Sequence, residues 1–134
     1  MNVPATHRHC PVGHATALLG DRWSMLIIRE ALAGVDRYQG FRDELNISDH
    51  TLSRRLTYLT EIGLLQRGDS AQPRYHLTEA GRDLARVLAT LGDWAMRWLP
   101  VDLPLKQPST AVLLAADELG FETPSHSPTP RDGR

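Results

Sequence analysis

A mainly α-helical fold with one small β hairpin is what this sequence predicts, and three observations carry it. Apolar residues recur at three- and four-residue intervals over most of residues 11–99, which lays a stripe along one side of each helix. Two short segments, 65–68 and 74–77, flank the turn-forming run Asp69-Ser70-Ala71-Gln72-Pro73. A short helix, a tight polar turn and a long capped helix come directly before that hairpin. Together these make the order of a winged helix-turn-helix.

The elements follow in turn. Residues 1–9 form a polar arm. A first helix opens at Pro11, whose fixed φ and missing N–H suit a first turn, and Val12, Ala15, Leu18 and Leu19 give it an apolar side before Gly20. Asp21 caps a second helix over 22–33, with Trp23, Leu26, Ile27, Ala31 and Leu32 inward and Gly34 as its stop. Tyr38 to Leu45 is a short third helix with Phe41 and Leu45 on one side.

The stretch 48–65 is the most defined. Ser48 is an N-cap and Asp49 puts negative charge at the helix start, where the dipole favours it. Leu52, Leu56, Leu59 and Ile62 make the inner stripe, and Gly63 ends the helix, with Leu64 folding back onto Leu59. The opposite face carries His50, Arg54, Thr57, Tyr58 and Glu61, flanked by Thr51, Ser53 and Arg55. A helix packed by its leucines and offering arginine, hydroxyls and imidazole outward has the chemistry to enter a DNA major groove.

The hairpin over 65–77 is then the wing, with Arg67, Gln72 and Arg74 as its polar reach. Thr78 caps a long helix over 79–99, in which Leu84, Leu88, Leu91, Ala95 and Trp98 form a seam widened by Val87 and Trp94. That width exceeds what one surface helix needs to cover a small core. The domain expected over 10–99 gives way to a proline-rich extension over 100–134, in which 110–119 has the pattern of a short helix.

Composition limits function more than it assigns it. The chain of 134 residues has a formal net charge of −1, so any nucleic-acid site must be a local cluster. All its basic residues except Lys106 are arginine, which suits phosphate forks and guanine edges. A single cysteine rules out an intrachain disulfide, and no apolar run approaches the ~18 residues of a membrane span. With no basic-then-apolar leader either, a cytoplasmic location is expected, with no membrane partner. No paired acid/base set, glycine-rich phosphate loop or nucleophile motif is present, so an enzyme is not expected, nor any cofactor.

Arg54, at the centre of the outer face of the 48–65 helix, is the first candidate for a base edge, with His50, Thr51, Ser53 and Thr57 around it. Tyr38 and Gln39 start the preceding helix, a place where amides and side chains hold phosphate, and Arg37 and Arg42 add charge there. Arg55 borders the leucine stripe, within reach of a phosphate or an acidic partner. In the wing, Arg67, Gln72 and Arg74 are phosphate or groove candidates, with a partly buried strand residue as the alternative for Arg67 and Arg74. Cys10 stands at a helix start, where the dipole stabilises a thiolate; a small buried residue is the plainer reading. His7, His9, Cys10 and His14 match no standard zinc spacing, so no metal is expected.

Specific words join this order. CPVGHATALLGDRWSMLIIREAL, RYQGFRDEL, ISDHTLSRRLTYLTEIGLLQR and PRYHLTEAGRDL, running from Cys10 to about Trp94, resemble the HxlR-type winged helix-turn-helix transcriptional regulators of the MarR-like superfamily. The resemblance implies a bacterial DNA-binding homodimer, usually a repressor of a nearby gene, that reads a palindromic operator with one 49–62 helix per half-site. It places the dimer interface on the first and last helices, here at Val12, Leu19, Leu84, Val87, Leu88, Leu91, Trp94, Ala95 and Trp98. In some members a cysteine at the place of Cys10 senses oxidants or electrophiles, which implies a possible small-molecule or oxidant effector. The alternative is a winged-helix module that binds protein or a small ligand without meaningful DNA affinity.

Overall fold

The computed structural model describes residues 10–99. Along them run α1 (Pro11–Leu19), α2 (Ser24–Leu32), α3 (Tyr38–Leu45), α4 (Asp49–Glu61), β1 (Leu65–Arg67), β2 (Tyr75–Leu77) and α5 (Glu79–Trp98). The arm at 1–9 and the extension at 100–134, with the helix expected over 110–119, lie outside the described residues.

Side chains start the helices where the sequence places them. The Ser48 hydroxyl accepts from the Thr51 amide at 3.3 Å and the Thr78 hydroxyl from the Gly81 amide at 3.2 Å. Each satisfies an amide that has no carbonyl partner within its helix. Asp21 stands one turn before α2 and not at its N-cap, which is Trp23; its Oδ1 accepts from the Trp23 and Ser24 amides at 2.9 Å each. Because the carboxylate holds those two amides in a turn, α2 begins at Ser24, later than the periodicity indicates. The end of α4 is a left-handed stop: Gly63 has φ +82°, and the Leu64 amide reaches back to the Leu59 carbonyl at 2.9 Å.

The core gathers on the inner face of α4. Leu52, Leu56 and Leu59 pack with Ile27 and Ile28 of α2, Phe41 of α3, Ile47 and Leu65, all essentially removed from water. Leu84 and Leu88 of α5 and Leu19 of α1 close the rim of this same cluster. The expected seam on α5 is therefore divided. Leu84 and Leu88 turn toward the chain's own core, because Gly81, Ala85 and Ala89 beside them are small enough to bring α5 in close. At Gly81 the approach is closest, for a β-carbon there would run into the Leu64 carbonyl oxygen.

The two strands pair antiparallel, Leu65 opposite Leu77, Gln66 opposite His76 and Arg67 opposite Tyr75. The hairpin has a third neighbour that no local pattern announces. The Asp36–Arg37 connector lies along β2, with an Arg37–Arg74 bridge and the Tyr75 amide donating to the Asp36 carbonyl at 2.7 Å. The wing is thereby anchored to the residues that lead into α3.

Candidate nucleic-acid interface

Burial of the leucine stripe turns the other side of α4 outward. His50, Ser53, Arg54 and Thr57 are exposed, and Thr51 is half-buried beside the Ser48 cap. Among the described residues no hydrogen bond or ion pair engages Arg54, so none of its guanidinium donors is used by them. Tyr58, expected on this face, instead packs against the core and donates its hydroxyl to the Leu18 carbonyl at 2.8 Å. Its ring is large enough to reach from the edge of α4 across to α1.

Of the two partners expected for Arg55, a phosphate or an acidic group, the chain itself supplies the acidic one. Arg55 is drawn inward, its Nη1 3.3 Å from Asp21 Oδ2 and its guanidinium 5.3 Å from the centre of the Tyr58 ring. Burial alone pushes the Asp21 carboxyl up. The hydroxyl and amide of Ser24, the Trp23 amide and Arg55 outweigh it, and Asp21 sits below the usual carboxylate value. Arg55 therefore ties α4 to the start of α2 and is not a free phosphate cation.

Across the turn, α3 and α4 meet in a polar cluster. The Tyr38 hydroxyl donates to Asp49 Oδ1 at 2.8 Å, Arg42 Nη1 lies 3.3 Å from Asp49 Oδ2, and the Ser53 hydroxyl approaches Tyr38 at 3.5 Å. The Ser53 contact favours the phenolate, but burial and the Asp49 carboxylate prevail and hold the Tyr38 phenol above its ordinary value. Tyr38 thus stays a donor. Asp49 was expected only to serve the helix dipole; its place between Tyr38 and Arg42 depends on how two helices cross, which spacing along one helix does not report. Gln39, exposed on α3, donates to Asp43 at 2.8 Å.

In the wing, Arg67 and Gln72 are exposed and their side chains have no polar partner among the described residues, whereas Arg74 pairs with Asp36 at 2.8 Å. Arg37 is exposed at the N-cap of α3. The structure thus joins Ser53 and Asp49 of α4 to Tyr38 and Arg42 of α3, and gives Arg42, Arg55 and Arg74 acidic neighbours within the chain.

On α1, Cys10 is exposed and its Sγ accepts from the Gly13 amide at 3.4 Å, so the sulfur occupies the capping position. His7 and His9 lie outside the described residues, and no cluster of His, Cys, Asp and Glu fit for a metal occurs among those described. Also among the described residues, no helix is long and apolar enough to cross a membrane.

A second surface is apolar. Val87, Leu91, Trp94 and Trp98 form one stripe on α5, and Val12 and Leu18 stand out from α1. Trp94 is 55% and Trp98 70% exposed, which is unusual for the largest side chains of a folded chain. Ala95, on the flank of that stripe, is half-buried.

Comparison with known proteins agrees with this geometry. The family model for the HxlR-like helix-turn-helix matches residues 18–102. An uncharacterized HTH-type transcriptional regulator of Mycobacterium tuberculosis strain H37Rv, Rv3095, is 44% identical over 93 residues, covering 66% of this chain and 59% of its own length. The chain thus matches about three-fifths of that relative. Among solved structures, PA1607 superposes with a TM-score of 0.69 at 27% identity, covering 94% of this chain and 84% of its own. The reduced form of the transcriptional regulator YodB from Bacillus subtilis superposes at 0.60 with 30% identity, covering 67% of this chain and 94% of its own; YodB also has a quinone-bound structure.

Proposed function

This chain belongs to the HxlR-like helix-turn-helix family, and on that premise we propose that it is a sequence-specific DNA-binding transcriptional regulator, acting as a homodimer on a palindromic operator, most simply as a repressor of a nearby gene. The observation that carries the reading is α4 itself. Three buried leucines fix one side, and the other offers an unengaged Arg54 among His50, Ser53 and Thr57. In the major groove Arg54 is the residue for a base edge; Arg37, Arg42, Gln39 and Tyr38 face the backbone at one end, and Arg67 and Gln72 from the wing.

The homodimer reading rests on the exposed stripe of α5 and the apolar side of α1. A second copy removes Val87, Leu91, Trp94 and Trp98 from water and sets two α4 helices on successive half-sites. A chain of near-neutral net charge gains little from phosphate attraction alone, so pairing two reading heads supplies the affinity.

A mobility-shift titration with the promoter region beside the protein's own coding sequence tests the reading. A saturable complex holding two chains, resistant to excess random duplex, is expected. Failure to retard any duplex favours the alternative, a winged-helix module that binds protein or small molecules.

The exposed Cys10 thiol at the start of α1 supports a response to an oxidant or electrophile, in keeping with the quinone-bound form of the similar YodB. The Tyr58–Leu18 hydrogen bond links α1 to the reading helix, giving a change at α1 a short path to α4. Quinone or peroxide is expected to weaken the wild-type complex and spare Cys10→Ser; equal loss in both would make Cys10 structural.

A further inference from the structure

Asp49 stands among the groups that meet DNA in the reading above, and its charge is wrong for phosphate. Its two carboxylate oxygens are divided between α3 residues, Oδ1 to the Tyr38 hydroxyl at 2.8 Å and Oδ2 to the Arg42 guanidinium at 3.3 Å. Tyr38 and Arg42 are one turn apart on α3, as are Asp49 and Ser53 on α4, so four side chains bridge the two helices of the helix-turn-helix. The fold has little need of this bridge. Phe41, Ile47 and Leu52 already join the two helices in the core, and the ion pair is open to water, with side chains 47% and 56% exposed. What the bridge does alter is the local field: it occupies the one α3 cation that faces α4 and adds an anion beside it.

We propose that Asp49 is a positioning residue that sets selectivity: steadied by the Tyr38 hydroxyl, it holds Arg42 in one register, ready for the backbone of a correctly docked operator and withheld from DNA met out of register. The inference rests on the DNA-binding reading of α4. On arbitrary duplex, binding is almost wholly phosphate attraction. Asp49 opposes it twice, by its own charge and by occupying Arg42. On the operator, base contacts fix the depth of α4, and the clamped guanidinium, which keeps N–H donors beyond the one spent on Asp49, meets the flanking phosphate already oriented, without further loss of side-chain freedom. Removing the charge therefore strengthens the first kind of binding and does not strengthen the second to the same degree.

The test uses the full-length chain and two duplexes of equal length and composition, one selected from a random pool by the wild-type protein and one scrambled, titrated over a range of salt. Asp49→Asn keeps a side-chain oxygen for Tyr38 but abolishes the ion pair. Its affinity for the scrambled duplex is expected to rise about threefold, with a salt slope there steeper by about one. Affinity for the selected duplex holds or falls, so the ratio between the two drops by about threefold or more. Tyr38→Phe, which releases one oxygen of the Asp49 carboxylate and so loosens Arg42, is expected to lower affinity for the selected duplex more than for the scrambled one. It decides the matter alone if Asp49→Asn does not fold. Proportional loss on both duplexes, the mark of a merely structural role, overturns the proposal, as does an unchanged ratio. A wild-type chain that selects no duplex at all is a different failure, one of the DNA reading itself, and the proposal falls with it.

Discussion

The two long helices of this protein solve opposite problems. α4 buries its large apolar residues, Leu52, Leu56 and Leu59, and exposes polar ones; α5 buries its small residues, Gly81, Ala85 and Ala89, and exposes Val87, Leu91, Trp94 and Trp98. Both are amphipathic by sequence, and amphipathicity alone does not say which helix is finished. Measured against one chain, α4 has no apolar surface left to hide, and its outer face is built for a polar partner. α5 retains a stripe whose removal from water is favourable by roughly 25 cal/mol for each Å² covered. The contrast teaches that the destination of a helix is read from what it leaves uncovered. On the proposed reading α4 meets a polyanion and α5 another apolar face.

Three changes test that division, and the largest effect belongs to the finished side. Leu56→Ala opens a cavity in the central cluster and should cost about 2–5 kcal/mol of stability, read as an early midpoint in urea or heat. Leu91→Glu, on the unfinished side, should leave the monomer folded and convert the dimer to monomer in sedimentation or light scattering, a penalty of about 2 kcal/mol or more on association. If Leu91→Glu unfolded the chain as Leu56→Ala does, the stripe would belong to the chain's own packing and the contrast would be lost. Arg54→Ala should change neither stability nor association, while operator affinity falls by about 1–3 kcal/mol and sequence preference relaxes at one base pair per half-site. Unaltered footprints in that variant would put the base-reading face elsewhere.

Much of this was legible in the chain. The spans of α1 and α3, the start of α4 and the caps at Ser48 and Thr78 follow from residues within four positions of one another, because a helix is closed by i to i−4 bonds and begun by a side chain two or three residues before its first free amides. Which face of α4 is apolar follows from the same short-range spacing. That Arg54 finds no partner among the described residues also follows from its place on the side of α4 opposite the leucine stripe.

What the sequence by itself determined is thus the set of elements, their order, the polarity of each face and the family to which they belong. Tertiary structure alone decided the flanks and the junctions. Arg55 and Tyr58 lie at the edges of the α4 stripe, where spacing leaves two directions open, and only the presence of Asp21 and the Leu18 carbonyl turned them inward. Leu84 and Leu88 shared a pattern with Leu91, and were separated from it because three small residues let α5 come down onto α2 and the hairpin. Asp49 looked like a helix-start charge until α3 brought Tyr38 and Arg42 to it, and Arg74 like a free wing cation until the 36–37 connector placed Asp36 beside it. The reason is common to all of them. Periodicity fixes the angle at which a side chain leaves its helix, but the partner it finds there is set by residues distant in the chain, whose position depends on the whole packing.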